Sequence, residues 1–169
     1  MRLDEWNTRT EDEAVEELLR CCGSTRWAKQ MTAVRPFANE ETLASVADRV
    51  WSALEPADWL EAFAAHPRIG ESSPSYASRQ TAQWSSEEQG GFDAADAGTA
   101  RRLAAANREY EARFGYIFIV CATGQSADGM LAMLERRLRN DPSGELSIAA
   151  EEQRKITRLR LAKWLRTDR

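Results

Sequence analysis

An all-α fold is what this sequence predicts, and three patterns carry the expectation. Apolar residues recur at three- and four-residue intervals along most of the 169-residue chain. Capping residues (Thr10, Asn39, Ser126) precede these stretches, and Gly or Pro (Gly23, Pro36, Gly115, Pro142) follows them. Only Tyr116-Ile117-Phe118-Ile119-Val120-Cys121-Ala122 reads as extended, and no second such run exists to pair with it. The expectation is one domain over residues 1–169. It would be a bundle of about eight helices around one short buried extended segment at about 116–122.

The elements follow in order. Thr10 and Glu13 form a capping-box pattern, with Ala14, Val15, Leu18, Leu19 and Cys22 on one helical face and Gly23 suited to the cap. A second helix from Ser24 turns Trp27, Met31 and Val34 inward, and Pro36 stops it. Asn39 caps a third, in which Leu43, Val46, Ala47, Val50, Trp51 and Leu54 make the clearest amphipathic face of the chain. Pro56 suits the start of a fourth, with Leu60, Phe63 and Ala64 inward, running into His66. Residues 67–83 read as a long loop, then a short helix at Ser85–Gln89 stopped by Gly90-Gly91. A helix over 97–114 ends at Gly115. Ser126 caps the next, with Met130, Leu131, Leu134 and Leu138 inward, and the last runs from about Glu145 to Arg166. Leu161 and Leu165 fall off its main stripe, which suits either a homodimer contact or burial within one chain.

Composition narrows the function classes. Apolar residues make up 43%, with six Trp and five Phe, enough for a core without staples. Charged residues are 30% and the net charge is −4, so neither nucleic acid nor an anionic membrane is indicated as partner. No apolar run approaches the ~20 residues that span a bilayer. The N-terminus lacks a signal-peptide core, and Thr167-Asp168-Arg169 is not a peroxisomal address. Three cysteines, no CxxC and one histidine point to reduced thiols, a cytoplasmic protein and no metal site.

Four features stand apart from a plain helical core. His66 is the only histidine, and Pro67 forces it out of helical geometry. Such a residue is either a helix-end cap or a proton-transfer group. The Glu87-Glu88-Gln89 cluster precedes Gly90-Gly91 and is either solvated or part of a site. Backbone groups of an unpaired extended run need side chains, water or a ligand. Arg160 falls mid-way along the inner face of the last helix, with Gln153 nearby, and a buried guanidinium needs an anion. That anion is either an acidic side chain or a ligand carboxylate. Together the four suit a small, planar, anionic substrate and an acid–base site without a defined reaction. Cys121 reads as an inert thiol.

At these residues the chain resembles the 2-oxo-4-hydroxy-4-carboxy-5-ureidoimidazoline (OHCU) decarboxylase family. The resemblance lies in His66-Pro67-Arg68-Ile69-Gly70-Glu71, Trp84-Ser85-Ser86-Glu87-Glu88-Gln89 and Phe114-Gly115 through Thr123-Gly124. Gly23-Ser24-Thr25-Arg26-Trp27, Arg35-Pro36-Phe37 and Lys155 through Leu161 fit as well, so it covers nearly the whole chain in order. It implies an all-α, often dimeric enzyme that needs no cofactor or metal. It implies loss of the C4 carboxylate as CO₂ and stereospecific protonation to (S)-allantoin, with uricase and hydroxyisourate hydrolase as functional neighbours. It implies His66 as proton donor, Glu88 as its acidic partner, and Pro67, Ser85, Ser86, Glu87 and Gln89 lining the site. Phe118, Ile119, Val120, Cys121 and Ala122 would present backbone groups, and Arg160 would bind an anionic or carbonyl edge. Glu87 and Glu88 are both candidate acids, adjacency to Gln89 favouring Glu88, and contacts of loop 71–83 are unassigned. A non-catalytic ureide-binding module, a ureide hydrolase and a racemase are the rival readings. Against them stand the intact His–Glu–Arg set, the missing metal ligands and the need for two opposed acid–base groups.

Overall fold

The computed structural model describes residues 3–69, 79–93 and 96–166. Among them lie ten helices, eight of seven residues or more, and no strand. The chain divides into two compact units, Met1–Ala62 with Arg154–Arg169, and Phe63–Gln153. Both divisions fall inside continuous helices, α5 (Pro56–Ala64) and α10 (Pro142–Arg166), where composition shows no linker.

The first unit holds α1 (Leu3–Asn7), α2 (Glu11–Leu19), α3 (Thr25–Ala33), α4 (Glu40–Ser52), most of α5 and the end of α10. The caps expected at Thr10 and Asn39 form, and Ser24 caps α3 as well. Thr10 and Glu13 close a reciprocal capping box, Ser24 accepts from the Trp27 N–H at 3.3 Å, and Asn39 from Thr42 at 2.8 Å. Trp6 centres the core, with Phe37 stacked at 5.9 Å and Trp164 edge-on at 5.7 Å. Arg35 lies over the Trp6 ring and donates to the Trp6 and Arg9 carbonyls.

Several expectations need correction here. Helix α2 stops at Leu19, and Cys21 and Cys22 are buried in the turn beyond it, so Gly23 is not the left-handed cap. Val34 caps α3 and is 51% exposed, because the helix ends one residue before it. In α5, Leu60 and Ala64 face outward while Ala62 and Phe63 are buried. Trp59, whose indole N–H donates to the Trp51 carbonyl at 3.0 Å, sets that face through its i+3 and i+4 neighbours. Leu161, left open between a dimer contact and burial within the chain, is buried.

The second unit holds α6 (Arg79–Glu88), α7 (Gly90–Asp93), α8 (Ala97–Phe114), α9 (Ala127–Arg137) and the start of α10. Helices α8 and α9 pack around Leu103, Tyr110, Phe118, Met130 and Leu134. Gly115 ends α8 in the left-handed region at φ 83°. Helix α6 begins well before Ser85, so the loop expected at 67–83 is shorter; residues 70–78 of it lie outside the described residues. Helix α10 begins at Pro142, not Glu145: proline suits the first helical position, and Asp141 accepts the Gly144 N–H at 2.9 Å. No helix among the described residues is long and apolar enough to cross a membrane.

Gly91 shows why the glycine pair matters. It does not simply stop a helix; it lets α7 approach the chain at Gln125, whose carbonyl oxygen would lie 1.9 Å from an added Cβ. Gly91→Ala should therefore lower stability by about 1–3 kcal/mol. Gly90→Ala meets nothing within 4 Å and should leave the urea midpoint nearly unchanged. Equal midpoints for the two variants would contradict this account.

Candidate active site

The His66 corner is built by the end of α5. The His66 N–H donates to the Phe63 carbonyl at 3.1 Å, and Pro67 prevents another helical turn. Arg68 then ties the corner to α8 through a two-pronged ion pair with Glu111, at 2.9 and 2.8 Å. Hydrogen bonding from Arg68 holds the Glu111 carboxyl below its ordinary value. The half-buried imidazole places Nε2 2.7 Å from the Gln153 carboxamide oxygen. Gln153 lies on α10 and is fully buried.

Helix α6 separates the acids. Trp84, Ser85 and Glu88 are buried, whereas Ser86 and Glu87 are exposed. Offsets of one and four residues from Trp84 put the three on one helical face. Glu87 accepts from the Gln83 side chain at 2.9 Å on the outer face. Of the two candidate acids, Glu88 is thus the one turned into the protein. Gln89, half-buried, follows it at the helix end.

Phe118 through Ala122 runs without a strand ladder, and all but Cys121 are buried. Side chains serve its backbone. The Cys121 N–H donates to the Glu152 carboxylate at 2.7 Å, and the Ile119 carbonyl accepts from Arg137 at 2.7 Å. Arg137 lies over the Phe118 ring and is paired with Glu145 at 2.6 Å, both almost wholly buried. Glu145 also accepts from the Tyr110 hydroxyl at 2.5 Å and the Asn140 amide at 2.9 Å. Burial, then the bond to Glu145, pushes the Tyr110 phenol far above its ordinary value, so it remains a donor. The sequence reading named none of Arg137, Glu145 and Glu152 as functional. An unpaired buried run demands such partners, but distance along the chain hides which side chains supply them.

Arg160 belongs to the first unit and is 4% exposed, as expected for the inner face of α10. In that unit its charge acts on Cys21 and Cys22. Burial pushes both thiols up, Cys22 to about 11, so neither is a nucleophile at neutral pH. Among the described residues, no three His, Cys, Asp or Glu side chains converge as a metal site would require.

The family model for OHCU decarboxylase matches residues 7–162. The chain belongs to the OHCU decarboxylase family. It is 43% identical over 144 residues to the uric acid degradation bifunctional protein TTL of Arabidopsis thaliana, covering 85% of this chain and 44% of that one. It therefore spans less than half of that bifunctional relative. It is 32% identical to the 2-oxo-4-hydroxy-4-carboxy-5-ureidoimidazoline decarboxylase of Amia calva, over 75% of this chain and 73% of that one. Among solved structures, an OHCU decarboxylase crystallised in the presence of (S)-allantoin superposes with a TM-score of 0.77 at 39% identity. That match covers 89% of this chain and 98% of the other. An (S)-allantoin synthase shares the fold, with a TM-score of 0.73 at 17% identity over 98% of this chain and 54% of the other.

The Glu145 cluster yields a stability test. Glu145→Ala leaves Arg137 buried without its carboxylate, a change that costs about 3–5 kcal/mol. Urea unfolding should show that loss. A loss under about 1 kcal/mol, the scale of an exposed ion pair, would mean that the cluster does not hold the segment.

Proposed function

We propose that this chain decarboxylates OHCU and protonates the product to (S)-allantoin, with His66 and Glu88 as the acid–base pair. The observation that carries the reading is the family match over residues 7–162, which spans the His66-Pro67 corner, Glu88-Gln89 and the Phe118–Ala122 run. Loss of CO₂ leaves an electron pair on the carbon that held the carboxylate. Fixed dipoles in a site with little water stabilise that charge far better than bulk water. The backbone of Phe118 through Ala122 provides such dipoles, and its anchoring by Arg137 and Glu152 keeps them fixed. Arg160 takes the anionic or carbonyl edge of the substrate. Pro67, Ser85 and Gln89 line the site; Ser86 and Glu87, which the resemblance also places there, are exposed on α6. His66 then delivers a proton to one face of the carbanion, with Glu88 orienting or recharging the imidazole.

The reaction needs no electron acceptor, since the bonding pair stays on carbon and a proton replaces CO₂. This reading includes no cofactor or metal. Uricase and hydroxyisourate hydrolase would supply the substrate in a cytoplasmic sequence of urate breakdown, and the working form would be a homodimer.

His66→Asn should fold normally and lose about 10²–10⁴ in kcat, the usual worth of a positioned acid–base group. The assay generates OHCU from urate with uricase and hydroxyisourate hydrolase, then follows its absorbance and the circular dichroism of allantoin. Near-wild-type turnover in His66→Asn would sink the catalytic role. Arg160→Ala should raise KM more than it lowers thermal stability. Unchanged KM with a large fall in Tm would instead make Arg160 a structural ion-pair residue.

A further inference from the structure

We infer that the cavity walled by Arg68 and the outer side of α8, with Asn107 in its lining, is a binding site for a small planar carboxylate. The site is independent of the decarboxylation reading: its described lining includes none of His66, Glu88, Gln89 and residues 118–122. Its volume is about 400 Å³, within the range of small-ligand pockets. One side of α8 forms the floor. Ala100, Ala104, Asn107 and Glu111 follow one another at three- and four-residue steps, which brings them onto the same helical face.

Asn107 is the residue that points to a ligand. It is 8% exposed, and among the described residues its side chain has no hydrogen-bond partner. Its amide is not sealed in the interior either, so the surface it keeps opens on the cavity. A mostly buried amide left unmatched opposes folding. Asparagine is also a poor helix former, yet it follows three alanines in the interior of α8. Neither helix propensity nor apolar packing selects it there. A carboxamide carries two donors and an acceptor, which a polar ligand would satisfy.

The rest of the lining sets the chemistry. Ile69, Phe92, Ala100 and Ala104 are apolar, and Ile69 and Phe92 also pack against the core of their unit, so that end suits a flat apolar body. The other end holds Asn107, Arg108 and the Arg68–Glu111 pair. The charges of the pair cancel, so Arg108 sets the sign. Arg108 is exposed and, among the described residues, forms no ion pair. A carboxylate at this end would accept from the Asn107 amide and from the guanidinium, while its ring rests against Phe92 and the alanines.

Titrating the nitrogen-15-labelled chain with benzoate tests the site. The Asn107 side-chain amide and the backbone amides of Phe92, Ala100 and Ala104 should shift together and saturate in the millimolar range, as suits so small a ligand. Benzamide, which keeps the ring and loses the charge, should bind about ten-fold more weakly, the worth of one charge-assisted hydrogen bond. Asn107→Leu keeps the branched shape and removes the amide; its benzoate affinity should fall about ten-fold. Arg108→Gln, on an exposed position, should bring benzoate and benzamide to similar affinity. Shifts that do not saturate in the wild type, or that fall elsewhere on the chain, would overturn the inference. Unchanged benzoate affinity in Asn107→Leu would overturn it too. Should that variant not fold, Arg108→Gln decides alone: a retained preference for benzoate over benzamide refutes the site.

Discussion

Phe118 through Ala122 crosses the interior of its unit without a neighbouring strand, and its backbone still needs hydrogen bonds. An unpaired buried N–H or C=O costs about 1–3 kcal/mol, so a run of them without partners would not stay folded. Charged side chains meet the demand at two points: Arg137 donates to the Ile119 carbonyl, and Glu152 accepts from the Cys121 N–H. A buried arginine creates its own requirement. Glu145 answers it, and Tyr110 and Asn140 share the same carboxylate. Helices α8, α9 and α10 are linked by this one chain of satisfactions, so the run cannot shift without breaking charged contacts in a dry interior.

Helix α10 carries most of this burden. Glu145 and Glu152 are seven residues apart, nearly two turns, and both are buried; Gln153 and Arg160 repeat the spacing one residue on. A helix with so many polar groups on its buried side gains little from apolar periodicity. Its stability comes from having each group matched, which also restricts what each can do. Three of the four have a defined charge or shape to meet. Arg160 is as deeply buried as the other three, at 4% exposed.

Most of the fold was legible because the signals were local. Capping at Thr10, Asn39 and Ser126, and the helix end at Gly115, depend on a few neighbouring residues, and each stands as read. Errors arose where a short helix left the face undetermined, as at Leu60 and Val34, or where Pro142 opened a helix earlier than its apolar residues suggested. The site was legible in kind and incomplete in detail. His66, the acid pair and the odd extended run stood out because each broke a pattern. Arg137, Glu145 and Glu152 broke none: each is an ordinary charged residue on an amphipathic helix until packing removes its solvent. Which of Glu87 and Glu88 is buried likewise depended on which face of α6 turns inward.

The same packing bears on how the proposed site, with its one histidine, would control handedness. Stereospecific protonation requires the donor to approach one face of a carbanion that would otherwise pick up a proton from either side. An imidazole on a free helix end would rotate and sample both ring nitrogens. Here the corner is clamped by Arg68 and Glu111, and the ring by Gln153. In the proposed reaction, the backbone groups anchored through Glu152 would orient the carbanion. Donor and acceptor are thus referred to adjacent residues of one helix. On that proposal, selectivity would depend less on the strength of any single contact than on the stiffness of the turn that holds Glu152 and Gln153 together.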